Sequence, residues 1–173
     1  MLEKYRSLDA FTACWIEDST PRVFKDELIQ SGKGHKYVGE WSPESNQWHG
    51  YGVAVYSNEH MYIGYFKQGR RTGLGRYIGI TGQEVVYFYE GWHQDDLKTG
   101  LGKQVFDNGE SYRGEYVKGK NTGLGEIKYA SGHKYVGTFY KNDHHGFGKL
   151  TSPDGSSWVG EFKKSKQTGW GVT

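Results

Sequence analysis

Residues 112–116 read Tyr112-Arg113-Gly114-Glu115-Tyr116, and nine residues after Gly114 comes Gly123-Leu124-Gly125. The frame returns as Tyr135-Val136-Gly137-Thr138-Phe139 with Gly146-Phe147-Gly148. It returns again as Trp158-Val159-Gly160-Glu161-Phe162 with Gly169-Trp170-Gly171. Gly91, Gly114, Gly137 and Gly160 are each 23 residues apart, and self-similarity at such a fixed period marks a repeat array. Upstream the frame is looser. Tyr89-Glu90-Gly91 leads to Gly100-Leu101-Gly102. Tyr62-Ile63-Gly64-Tyr65-Phe66, with Gly73-Leu74-Gly75, begins 27 residues before Tyr89. Tyr37-Val38-Gly39-Glu40-Trp41, with Gly50-Tyr51-Gly52, has two extra residues in its first loop. Six copies therefore start near residues 37, 62, 89, 112, 135 and 158.

Tyr112, Gly114 and Tyr116 are two apart, so in an extended segment they share one face. Gly123 and Gly125 are expected to share a face too, followed on it by Ile127 and Tyr129. Between the segments lies the polar turn Val117-Lys118-Gly119-Lys120-Asn121, so each copy predicts a β-hairpin. The links between copies carry turn residues as well: Asp107-Asn108-Gly109, Ala130-Ser131-Gly132 and Pro153-Asp154-Gly155. Glycine inside a strand is destabilising and needs a reason. Paired glycines leave a bare backbone track across which large rings from the neighbouring strand can lie. A phosphate-cradling glycine loop is the competing reading of Gly-x-Gly, but no parallel βαβ pattern surrounds any copy.

Glycine supplies 27 of 173 residues, and aromatics 16%, while hydrophobic residues of all kinds reach only 35%. That balance predicts a thin, ring-studded, all-β sheet rather than a two-layer globule. One array is expected, because such repeats are stabilised by stacking on neighbours. A single cysteine, Cys14, argues against a disulfide-built scaffold. Met1-Leu2-Glu3-Lys4-Tyr5-Arg6 opens no long apolar run, so neither a signal peptide nor a membrane span is expected and a cytoplasmic protein is the default. A net charge of +2 does not imply nucleic-acid binding.

Residues 1–26 lack the repeat and form an N-terminal arm. Leu8, Phe11 and Trp15 have helical spacing, Ser7 is placed to cap a short helix, and Thr20-Pro21 ends it. The arm either caps the first hairpin or docks a partner through Phe11 and Trp15. Residues 27–36 read as the second half of a repeat, so the array is expected over 27–173 with the sheet beginning near Glu27. The second copy carries an insertion around Ile80-Thr81-Gly82-Gln83-Glu84 and should form a longer hairpin. In the third copy His93 takes the fifth position, and a bulge is expected to re-aim Trp92. Asp95 and Asp96 read as a solvated turn rather than a metal site. The last copy stops just past Gly171, which leaves an open hairpin whose edge can pair with a partner or a second copy.

The pattern Tyr-x-Gly-x-(Trp/Tyr/Phe) followed by Gly-x-Gly resembles the MORN repeat over about 37–171. His93 and Trp158 are departures, as is the extra length in the first two copies. Val86-Tyr87-Phe88-Tyr89-Glu90-Gly91-Trp92 carries a narrower resemblance, to the short MORN-only proteins of cilia and sperm flagella. The resemblance implies a single-layer, twisted antiparallel sheet that scaffolds other proteins in a microtubule-based structure such as the axoneme. Other MORN proteins are linked to membranes or phosphoinositides.

The histidines are scattered and no nucleophile–base set is evident, so no catalysis and no cofactor are expected. The intra-repeat turns carry Lys67, Arg70, Arg71, Lys98, Lys118, Lys120, Lys141, Lys163, Lys164 and Lys166. Stacked in register they line one edge, which suits an acidic protein partner such as tubulin or an axonemal protein. Anionic lipid is the alternative partner of that edge. Rings left uncovered on one sheet face are the other expected contact.

Overall fold

The computed structural model describes residues 19–30, 33–82 and 84–173. Among these described residues, thirteen antiparallel strands form one sheet in strict sequence order. They are β1 (Val23–Gln30), β2 (Lys36–Ser42), β3 (Gln47–Val55), β4 (Met61–Lys67), β5 (Arg70–Thr81), β6 (Glu84–Gln94), β7 (Leu97–Phe106), β8 (Ser111–Val117), β9 (Lys120–Lys128), β10 (Lys134–Tyr140), β11 (Asp143–Thr151), β12 (Ser157–Lys163) and β13 (Lys166–Val172). The helical reading of the arm, with Phe11 and Trp15, lies outside the described residues. β1 reaches back to Val23, ahead of the expected start at Glu27. There Val23-Phe24-Lys25 pairs with Trp41, Glu40 and Gly39 as Gly123-Leu124-Gly125 pairs with Phe139, Thr138 and Gly137. It is thus a Gly-x-Gly half written without glycine. The last copy is a closed hairpin, β12–β13, not an open one.

Turn chemistry sets the register. Lys118 and Gly119 have φ of 48° and 80°, the two positive values of a type I′ turn, whose twist matches that of the flanking strands. The link after β7 is a wider loop: Gly109 donates to the Phe106 carbonyl at 3.1 Å, and Phe106 to the Glu110 carbonyl at 2.8 Å. β5 and β6 are the longest neighbouring pair, as the insertion predicts.

The two glycines of Gly-x-Gly are required for different reasons. Gly123 has φ +70° and occupies a bulge: between the pairs Gly114↔Gly125 and Tyr116↔Asn121, three residues of β9 oppose Glu115 alone. The bulge takes Gly123 out of the alternation, which corrects the expectation that it shares a face with Gly125. The bare track is instead made by Gly114 and Gly125, which are register partners. A Cβ on Gly125 would lie 2.6 Å from the Tyr112 hydroxyl oxygen and 2.8 Å from a ring carbon. The bulge also explains tyrosine over phenylalanine. Glu115 drops out of the ladder, and the Tyr112 hydroxyl donates to its carbonyl at 3.0 Å. Tyr37, Tyr62, Tyr89 and Tyr135 make the same bond three residues ahead. Burial pushes these hydroxyls up, Tyr135 to about 12, so each remains a donor at neutral pH.

The core is therefore a row of rings on one face of the sheet. In spatial order it runs Tyr37, Phe66, Tyr62, His93, Tyr89, Tyr116, Tyr112, Phe139, Tyr135, Phe162, Trp158. Successive centroids are 4.8–5.4 Å apart with interplanar angles of 82–89°. That edge-to-face geometry is the favoured one for ring quadrupoles. His93 is a full member of the row, buried against Tyr62 and Tyr89. The register shift beside Trp92 occurs in every copy, so it is no special device of the third one. Trp92 sits where Glu115 and Glu161 sit in later copies, on the opposite face.

Candidate functional site: an open apolar face and a basic edge

Because every framework ring points to one face, the other face carries what the framework does not use. The middle residue of each Gly-x-Gly lands there. Across the sheet the register places Phe24 beside Glu40, Tyr51 beside Tyr65, Leu74 beside Trp92, Leu101 beside Glu115, Leu124 beside Thr138, and Phe147 beside Glu161. Leu101 and Leu124 are each 66% exposed, Phe147 is 74% exposed and Trp92 41%. This apolar stripe runs perpendicular to the strands. Between β5 and β10 it walls a groove of about 740 Å³, floored by glycine backbone. A second row borders it: Arg76, Glu90, Lys103, Arg113 and Glu126, partnered strand to strand. The sequence contained the signal for this stripe in the apolar middle residue of Gly-x-Gly. Its value as a surface appears only once the rings are known to leave that face.

The predicted basic edge divides into three groups. Lys118, Lys120, Lys141, Lys163, Lys164 and Lys166 are exposed on three consecutive turns, with Asp143 the carboxylate among them. None of the six forms an ion pair with a described residue. Lys67 and Arg70 flank the β4–β5 turn, but Arg70 faces Asp95 at 3.6 Å. Asp95 and Asp96 are the central pair of the β6–β7 turn, so the edge is neutralised there.

Lys98 leaves the edge and lies over rings; Arg71 also lies over rings, but its guanidinium is held by Asp96 of the β6–β7 turn at 3.1 Å and is not free at the edge. This corrects their assignment to an edge ladder. They occupy the position two before the first glycine of Gly-x-Gly, where the side chain covers the tyrosine of its own copy. Trp48 stacks on Tyr37 at 4.8 Å and 9°, and His144 on Tyr135 at 3.6 Å and 8°. The Lys98 ammonium is 4.7 Å from the Tyr89 centroid, and the Arg71 guanidinium 5.8 Å from that of Tyr62. Burial, with the Arg71 charge nearby, lowers Lys98 to about 8. Burial lowers His144 as well, and pulls His93 down to about 4 with help from Arg71. His145, the neighbour of buried His144, is exposed on the other face. Among the described residues no three His, Cys, Asp or Glu side chains gather as a metal site.

The family model of the MORN repeat matches residues 37–61, 62–84, 92–111, 112–134 and 135–157. A search of curated proteins found no match. Among solved structures, the chain is similar to the TCP domain of SAS-4 (dCPAP) from Drosophila melanogaster, determined in complex with a proline-rich motif of Ana2 (dSTIL). The identity is 15% and the TM-score 0.40, over 85% of this chain and 83% of that one. The hairpin that begins at Trp158 continues the same register beyond the matched stretches. With five matched copies spanning more than half of its length, the chain belongs to the MORN repeat family.

Proposed function

We propose that this protein is a non-catalytic scaffold that binds other proteins on the open face of its sheet. One observation carries the reading: the rings that hold the sheet together all lie on the other face, and the apolar stripe of Leu101, Leu124 and Phe147 is left to solvent. Contiguous exposed apolar patches mark interaction sites. MORN repeats are in general protein- or membrane-binding modules, which fits. The assembly it serves is a microtubule-based one, such as the ciliary or flagellar axoneme, with tubulin or axonemal proteins as partners. That finer reading, and a cytoplasmic, cytoskeletal location, rest on the resemblance of 86–92 to the short ciliary members. Proximity labelling in a ciliated cell tests it, comparing the wild-type chain with Leu101→Asp/Leu124→Asp. Axonemal neighbours lost in the variant are expected. Diffuse signal with both chains overturns the ciliary assignment, and identical neighbours with both chains overturn the open face as the docking surface.

A second reading is favoured by the six exposed lysines on the β8–β13 turns, which form a line suited to anionic phospholipid. Flotation with phosphoinositide-containing vesicles at low salt tests it. No co-flotation removes it.

A further inference from the structure

We infer that the groove crossing β5–β10 takes an extended segment of a partner protein in which a carboxylate side chain sits between apolar ones, the carboxylate seating on Lys103 and Arg113. The inference rests on the open face being the docking surface and adds the chemistry of what docks there.

Lys103 and Arg113 are direct register partners on β7 and β8, and both are exposed at the groove wall. Like charges directly opposite on neighbouring strands destabilise a sheet unless an anion joins them. The acidic residues beside them are already engaged elsewhere. Glu90 holds Arg76 at 3.1 Å, and Glu126 holds Lys134 at 2.8 Å. Neither Lys103 nor Arg113 forms an ion pair among the described residues. The wall thus offers a fork of two adjacent cations, and a carboxylate complements it by charge and by geometry.

The apolar wall sets the conformation of the occupant. Leu74, Leu101 and Leu124 recur on every second strand, which is roughly 9.6 Å at the usual strand spacing. An extended polyproline-type segment repeats its side-chain direction every three residues, about 9.3 Å. Apolar side chains at i and i+3 then meet successive leucines, and an acidic residue at i+1 or i+2 turns toward Lys103 and Arg113. An α-helix, at 5.4 Å per turn, does not keep this register.

The test is selection of a phage-displayed random 12-residue peptide library on the full chain, run in parallel on Lys103→Glu/Arg113→Glu and on Leu101→Asp/Leu124→Asp. All four positions are exposed, and unchanged thermal melts verify folding. The wild-type chain is expected to enrich peptides with Asp or Glu between apolar residues three apart. Those peptides should lose roughly tenfold or more in affinity for the charge-reversed chain, the loss of a charge-assisted contact. The charge-reversed chain should select Lys or Arg at the same place. Neutral or basic consensus peptides that still need Leu101 and Leu124 overturn the carboxylate and leave the docking face standing. Peptides that bind the Leu101→Asp/Leu124→Asp chain as well as wild type overturn both.

Discussion

Asn142 donates its backbone N–H to the Asn121 carbonyl at 2.9 Å and accepts the Asn121 N–H on its own Oδ1 at 2.8 Å. The type I′ turn of one hairpin is thereby stapled to the strand of the hairpin before it. Ser165 with His144 and Asp96 with Arg71 repeat the reciprocal pair, while Gly69 and Gly119 supply only the backbone half. Asn142, Ser165 and Asp96 hold left-handed φ values of 79°, 60° and 69°, so the side-chain bond offsets the backbone strain.

Replacing Asn142 with alanine removes the acceptor and keeps the strain. The expected loss is about 1–2 kcal/mol, read from urea unfolding. Gly119→Asn should move the other way, by up to about 1 kcal/mol, since asparagine tolerates this φ and open space surrounds Gly119. A destabilised Gly119→Asn chain would show that the staple does not transfer between copies.

One methyl group should cost more than one hydroxyl. Gly125→Ala places a carbon where the Tyr112 ring lies, and about 2–3 kcal/mol of stability should go. Tyr112→Phe keeps the ring and loses only the bond to the Glu115 carbonyl, about 1 kcal/mol. Equal losses in paired thermal melts would mean that the ring does not rest on the glycine track.

Acid should loosen the array at its centre. His93 is neutral in the folded chain until about pH 4, against an ordinary 6.5. The unfolded chain binds the proton first, so His93's contribution is complete above pH 6.5 and is lost as pH falls from there toward 4. The shift is equivalent to about 3 kcal/mol. His144 is lowered in the same direction and adds to the slope. His93→Phe puts in the ring that Phe66, Phe139 and Phe162 supply elsewhere, and it should flatten most of the stability loss between those pH values. An unchanged pH profile by chemical denaturation would remove His93 as the cause.

Glu59 has φ +67° at the loop position that Gly109, Gly132 and Gly155 take in later copies. Its N–H makes the same turn bond, to the Tyr56 carbonyl at 2.9 Å. Glu59→Gly should raise stability by about 1 kcal/mol. A lowered melting temperature would show that the carboxylate does something the turn does not reveal.

Much of this was legible in the chain. Tyr112, Gly114 and Tyr116 at spacing two, recurring at a fixed period, dictate hairpins in sequence order, because local turn chemistry alone determines antiparallel neighbours. The misreadings have separate causes. The bulge at Gly123 breaks the period-two alternation, and no sequence pattern announces that one glycine serves φ while its neighbour serves ring clearance. Arg71 and Lys98 looked like edge cations because they follow turns, yet side chains long enough to reach the rings settle over them. His93 looked like a gap in the aromatic framework and is a ring within it.

The sequence by itself determined the repeat, its strand order and the identity of the framework rings, since all three follow from contacts within about one period. Only the tertiary structure decided which face those rings fill, that Leu101, Leu124 and Trp92 are consequently left on the other, and that Lys103 meets Arg113 with no ion pair to either among the described residues. Those outcomes depend on register between strands, and on packing across copies that no single copy encodes.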